Sequence, residues 1–227
     1  MDLYTTAMAS EVLGISPAAV RRLVNSGRLQ ATKMAGRLLF EPASIHRIQR
    51  CSQAPGRIWS PRTAWAALEI LHHHQTELID QPRRSRLTRQ LRSMEASELQ
   101  RLARNHCQVR RFSAGSRVRS SLTGMLLPTG VSSIAQESVA GRFGLAGVLD
   151  EDRLEGYWTG SAESLLDQIP PANDETGGVL VRFLDDPELV SGAVGSDAVI
   201  ALDLMDSDDI RERGAGRDTL QRIIANA

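Results

Sequence analysis

The chain has 227 residues, 41 % of them hydrophobic and 24 % charged, enough to bury a substantial core as one large domain or two smaller ones. No run of 18 apolar residues occurs, and the start "MDLYTTAMAS" lacks the basic and apolar regions of a secretory leader. A membrane span and a signal peptide are therefore not expected, and a cytoplasmic location is. The two cysteines, Cys51 and Cys107, have neither the paired spacing of a zinc site nor the density of a disulfide scaffold.

Charge balances at 27 basic against 27 acidic side chains, but unevenly along the chain. Residues 1–120 hold 20 Lys+Arg and 8 Asp+Glu, a balance of +12, and residues 121–227 hold 7 and 19, a balance of −12. Such a division points to a polyanion-binding front and an acidic back that repels nucleic acid or docks a basic partner. The alternative is that the two halves neutralise each other through an interdomain contact.

In chain order, the pattern predicts a helix over Thr6 to Leu13, a turn at Gly14-Ile15 and a second helix from Pro17 to about Ser26. Ser16 stands where an N-cap belongs, Pro17 suits the first helical position, and Gly27 supplies a left-handed stop. "RLQATKMAGRLLFEP" reads as two short strands turning at Ala35-Gly36, with Pro42 ending the second, and a third helix is expected over about Ala43 to Cys51. "CSQAPGR" has the composition of a linker. Ser60-Pro61 then starts a helix with an apolar stripe at Trp65, Leu68, Leu71 and Leu78, and "SRLTRQLRSM" and "SELQRLARNHC" give two more. Further on come a strand at "QVRRFSAG", a helix near Ser132 to Phe143, a strand at "LEGYWT", a helix at "AESLLDQI" and a strand at "GVLVRFL". Helices over Asp197 to Met205 and Ile210 to Ala225 complete the pattern. The expectation is an α+β, mostly helical protein: a winged helix-turn-helix over 1–52, a helical connector with basic faces over 53–107, and an acidic mixed α/β domain over 108–227.

Two helices joined by a short turn, with an exposed second helix, can read the major groove. Ala9, Val12, Leu13, Ile15, Val20, Leu23 and Val24 form the shared core of that pair, leaving Ser16, Ala18, Ala19, Arg21, Arg22 and Asn25 to face DNA. Arginine matches the paired acceptors of guanine or a phosphate, asparagine matches adenine, and alanine can touch a thymine methyl. Lys33 and Arg37 flank the hairpin tip, where a wing would meet phosphates or a minor groove. Arg83, Arg84, Arg86, Arg89 and Arg92 form the densest basic cluster. It reads equally as a second set of phosphate contacts or as the solvated face of a helix that buries Leu87 and Leu91.

"YTTAMASEVLGISPAAVRRLVNSGRLQATKMAGRLLFEPASIHRIQR" resembles the winged helix-turn-helix of the excisionase and MerR group, through "LGIS-P" at the turn, "V-R-L" along the second helix and "G-R-L" into the wing. No sustained heptads follow, which departs from an activating MerR protein. The remainder resembles the AbiEi-type antitoxins of actinobacteria in "SPRTAWAALEIL", "SRLTRQL", "LARN" and "DAVIALDLMDSDDIRERGAGRDTL". The resemblances imply a sequence-specific repressor that binds double-stranded DNA and controls its own operon, with a toxin protein as a further partner of the acidic region. A homodimer or multiple binding is expected because one recognition helix reads only a few base pairs. An architectural excisionase-type recombination factor is the alternative, and a metal-dependent nuclease or nucleotidyltransferase a lower one.

Two stretches invite other chemistry. Consecutive residues on a helix point about 100° apart, so the run His72 to His74 cannot converge on one ion, and no metal site is expected. "VGSDAVIALDLMDSDD" offers a Gly195-Ser196 turn followed by Asp203 and Asp206, but a magnesium-dependent nucleotidyltransferase or nuclease needs carboxylates two apart on a strand. Asp206, Asp208 and Asp209 are expected instead to start the last helix, and neither catalysis nor a cofactor is expected.

Overall fold

The computed structural model describes the chain except residues 1–2, 26–28, 35, 51–57, 148–149, 151, 167–171, 174–176, 185 and 190–191, with only the backbone of residues 47, 50, 172, 173 and 187. It is a mixed α/β protein, more than half helical. Two compact units divide it, Met1–Pro55 and Gly56–Ala227. The boundary falls within the expected linker "CSQAPGR", whose own residues lie outside the described ones.

The first unit contains β1 (Tyr4–Thr5), α1 (Thr6–Leu13), α2 (Pro17–Asn25), β2 (Thr32–Met34), β3 (Arg37–Phe40) and α3 (Pro42–Arg50). Thr5 caps α1 by accepting the Met8 N–H at 3.3 Å, and Gly14, at φ 64°, ends it in the left-handed conformation that glycine adopts without penalty. Each principal element contributes one buried side chain to a small core: Ala9 from α1, Val20 from α2, Phe40 from β3 and Ile45 from α3, with Leu29 from the connecting segment. The Gln49 side-chain amide donates to the Val12 carbonyl at 2.9 Å, tying α3 to the end of α1 and satisfying a carbonyl that the helix leaves open. The strands form an antiparallel sheet in the order β1-β3-β2. Pro42 opens α3 where it was expected to close the strand, because the first helical position needs no N–H and suits its fixed φ. The expected stop at Gly27 and the turn residue Ala35 lie outside the described residues.

The second unit opens with α4 (Pro61–His73), α5 (Gln81–Leu91), α6 (Ala96–Ala103), β4 (Gln108–Ser113), α7 (Ser116–Met125), β5 (Leu127–Pro128), α8 (Gly130–Ile134) and α9 (Glu137–Arg142). It continues through β6 (Leu154–Thr159), α10 (Ala162–Leu166), β7 (Ala172–Asn173), β8 (Val179–Leu184), α11 (Asp197–Leu204) and α12 (Ile210–Ala225). The strands lie in the order β5-β6-β8-β4-β7, with β6 and β8 parallel and the other pairs antiparallel. All six residues of β8 are buried, as expected of a central strand covered on both faces. Side-chain alternation divides the strand: Val179, Val181 and Phe183 pack with Phe112, Leu122 and Leu165 on one face, and Leu184 joins the larger core built on α4, α11 and α12 on the other.

Three sequence expectations change. The segment expected as a connector, 53–107, shares one core with the C-terminal region, since Trp65, Leu68, Leu87 and Leu99 pack in the same cluster as Ile200 and Leu220. The helix expected near Ser132 to Phe143 is two helices, α8 and α9, separated where Gln136 turns extended at ψ 122°. Leu78 lies beyond the end of α4, which stops at His74 in a left-handed conformation, yet it still packs against the core. The charge division also changes meaning. The first unit carries 7 basic and 3 acidic residues and the second 20 and 24, so the division at residue 120 is not a division between bodies. Basic residues before 120 pair with acidic ones after it inside the second unit: Arg62 with Glu188 at 2.9 Å, Arg111 with Asp208 at 3.0 Å and Arg119 with Asp152 at 3.2 Å.

Candidate nucleic-acid interface

The helix pair of the first unit is fixed from its turn outward. The Ser16 hydroxyl accepts the Ala19 N–H at 3.2 Å, capping α2, while the Ile15 N–H donates to the Ser10 carbonyl at 3.2 Å across the turn. Val20 is fully buried and Leu23 and Val24 pack against the same core, which sets the rotation of α2. At 100° per residue, Ala18, Arg21, Arg22 and Asn25 then fall on the opposite face, and all four are exposed. Ala19 lies on the flank, half-buried, and Ser16 is exposed with its oxygen committed to the cap. Of the six residues expected to face DNA from this segment, the fold therefore brings four onto one helical stripe.

The β2–β3 hairpin pairs Met34 with Arg37 and Lys33 with Leu38, and Gly36 takes φ 77° in the turn. Directly opposed residues share a face and neighbours alternate, so Lys33 and Arg37 project from opposite faces of the hairpin, both exposed near its tip. Met34 is 57 % exposed beside them, a position the sequence reading passed over.

The sequence profile of a helix-turn-helix domain family matches residues 3–50, all of them in the first unit. Residues 3–50 are a helix-turn-helix domain. No curated protein and no solved structure matches the chain. A helix-turn-helix domain supports a DNA-binding role, regulatory or excisionase-like. Among the described residues no helix is long and apolar enough to cross a membrane.

The arginine cluster lies in the second unit. Leu87 and Leu91 of α5 are buried, and Arg83, Arg86, Arg89 and Arg92 are exposed, with Arg84 half-buried and donating to the Thr76 carbonyl at 3.2 Å. His72 and His73 occupy the last turn of α4, and burial, followed by the charge of His73, lowers the His72 pKa. Among the described residues no group of three His, Cys, Asp or Glu is placed to hold a metal ion. Gly195-Ser196 begins α11, where the Ser196 hydroxyl accepts the Val199 N–H. Of the three aspartates expected at the start of the last helix, Asp209 does cap it, accepting the N–H groups of Arg211 and Glu212 at 2.7 and 3.2 Å. Asp208 instead pairs with Arg111, and Asp206 with Arg182 at 3.3 Å and Gln100 at 2.9 Å.

The feature missed in the sequence is a buried ionic network between the sheet and α11. Arg182, wholly inaccessible in the middle of β8, meets Glu155 at 2.6 Å, Asp203 at 3.2 Å and the Asp203 carbonyl at 3.2 Å. Asp203 also accepts the Thr129 hydroxyl at 2.6 Å and the Tyr157 hydroxyl at 2.9 Å, and lies 3.4 Å from His106 Nε2. Burial raises the Asp203 carboxyl, but Arg182, His106 and Thr129 outweigh it and hold the group below the usual carboxylate range. At Glu155 burial prevails over Arg182 and the pKa rises. At His106 burial pulls the imidazole down, while Cys107 and Asp203 more than offset it and lift the pKa to about 10.

A raised histidine pKa stabilises the folded state fully below the unfolded value of about 6.5, and that contribution fades as pH rises toward the folded value. The urea midpoint of the second unit is therefore expected to fall between pH 6.5 and 9.5, and the fall to disappear in His106→Gln. All three tryptophans, Trp59, Trp65 and Trp158, lie in this unit, so their fluorescence follows it selectively. A flat wild-type profile over that range would contradict the assignment.

Proposed function

We propose that the protein is a sequence-specific regulator that binds double-stranded DNA through α2, acting as a repressor. The observation that carries this is the stripe Ala18, Arg21, Arg22 and Asn25 on the solvent face of a helix whose opposite face is locked by Val20. Those side chains are the types that match guanine, adenine, thymine methyls and phosphates. The net balance of the first unit, 7 basic to 3 acidic, favours a polyanion over its alternatives. One such helix spans only a few base pairs, and each good contact discriminates by about 1–3 kcal/mol, so specific binding calls for two copies on two half-sites. A homodimer is the economical form. The resemblance of the remainder to AbiEi-type antitoxins supports an operon-autoregulating antitoxin whose second unit meets a toxin protein.

Selection from random duplexes with the full chain tests the reading. Enrichment of a short motif repeated about one helical turn apart is expected. Recovery of no motif would overturn sequence-specific reading.

An architectural, excisionase-type role has one observation in its favour. Met34 stands exposed at the hairpin tip, directly across from Arg37, and apolar wedges flanked by cations open base steps in bent minor grooves. Bending of the selected duplex, measured by the mobility of circularly permuted fragments and lost in Met34→Ser, would favour this role over simple repression.

A further inference from the structure

Several arginines of the second unit are matched by carboxylates: Arg62 by Glu188, Arg111 by Asp208, Arg142 by Asp197, Arg153 by Glu212 and Arg182 by Glu155. Most of those on α5 are not. Arg83, Arg86, Arg89 and Arg92 follow one another at three-residue intervals, so each is a surface neighbour of the next and the series winds across the exposed side of the helix. Arg83 has Asp80 near it at 3.5 Å, and among the described residues no aspartate or glutamate lies within ion-pair distance of Arg84, Arg86, Arg89 or Arg92. Beside this row is a groove of about 320 Å³ lined by His74, Arg84, Ser85, Thr88, Arg89 and Arg92, without an acidic residue.

Folding alone does not favour such a row. Like charges one helical turn apart cost about 0.2–0.5 kcal/mol each, and the two buried leucines that hold α5 in place do not require arginine on the outer face. Some of these side chains are pre-positioned. Arg84 donates to the Thr76 carbonyl, and Arg92 Nε donates to the Ala227 oxygen at 2.9 Å, which leaves their remaining guanidinium N–H groups available to an outside acceptor. A succession of forked donors with hydroxyls between them, and no sequence-reading asparagine or glutamine in the groove, suits phosphate oxygens rather than base edges.

We propose that the arginine face of α5 is a second duplex contact, gripping the sugar-phosphate backbone independently of sequence. This inference rests on the DNA-binding reading of the first unit and adds a non-specific hold to its specific one.

The test compares the full wild-type chain with Arg83→Gln/Arg86→Gln/Arg89→Gln, measuring binding to the selected duplex and to a scrambled duplex across a series of salt concentrations. The three positions are exposed, so an unchanged urea midpoint is the check that the variant folds. Each backbone contact removed is expected to make the slope of log K against log salt shallower by about 0.9, or roughly 2–3 in all, with at least a roughly tenfold loss of affinity near physiological salt. Both duplexes should lose by the same factor, leaving the preference for the selected site intact. A slope equal to wild type overturns the α5 contact while the helix-turn-helix reading stands, and a wild-type chain without duplex affinity overturns both. Inorganic pyrophosphate provides a further arm. Calorimetric saturation by pyrophosphate that Arg89→Gln/Arg92→Gln loses, with the duplex slope of both variants unmoved, assigns the groove to a small phosphate ligand and overturns the duplex contact.

Discussion

Arg182→Met is expected to destabilise the second unit by about 3–5 kcal/mol, the range seen when one member of a buried ion pair is removed and the others stay behind. The reason is local. Asp203 and Glu155 are both buried, and without the guanidinium the two carboxyl groups would share a buried space with hydroxyls, one imidazole and the Val131 N–H as their partners among the described residues. The second unit spans Gly56–Ala227, and for a body of that size roughly 2–4 °C of melting temperature accompanies each kcal/mol, so a fall of roughly 6–20 °C should be seen by tryptophan fluorescence. The combination Arg182→Met/Glu155→Gln/Asp203→Asn should recover part of the loss, because it removes the uncompensated charge as well as its partner. A single variant that melts within a degree or two of wild type would show that the network holds nothing together.

The second large effect is on binding. Arg21→Ala/Arg22→Ala is expected to weaken binding to the selected duplex by about 2–6 kcal/mol, on the basis of roughly 1–3 kcal/mol per arginine, which corresponds to about 30-fold to 10⁴-fold in affinity. Both side chains are exposed on α2, so the stability of the first unit should change by no more than about 0.5 kcal/mol. The loss should be larger on the selected duplex than on a scrambled one, since base contacts specify and backbone contacts do not. Equal affinity of wild type and variant for the selected duplex would remove α2 as the reading element.

The first unit was largely legible in the sequence because its determinants are close together in the chain. Ser16 and Pro17 mark the helix start, Gly14 the turn, and the three-to-four spacing of Val20, Leu23 and Val24 the buried side. The same holds for Ser60-Pro61 and for Leu87 and Leu91. α7 was missed because "SRVRSSLTGM" is rich in Ser, Thr and Gly, and its hydroxyls fold back onto carbonyls four residues earlier, as Ser120 does on Ser116 and Thr123 on Arg119. Tertiary packing of Leu122 makes it a helix in spite of its composition. The ionic network was hidden for a different reason. Its members meet across 27 residues between Glu155 and Arg182, 46 between Tyr157 and Asp203 and 51 between His106 and Tyr157, and only the β6–β8 register and the rotation of α11 align them. One sign was available: "LEGYWT" and "GVLVRFL" each place a charge among the apolar residues of a strand, and such a charge must find a partner if it is buried.

On α2, the residues that hold the helix and those that face outward are separate sets, Val20, Leu23 and Val24 against Ala18, Arg21, Arg22 and Asn25. Folding therefore places little constraint on what occupies positions 18, 21, 22 and 25. If α2 reads DNA as proposed, a lineage carrying this domain can drift at those four codons and acquire a new target site without first losing a folded protein, so recognition can diverge faster than architecture.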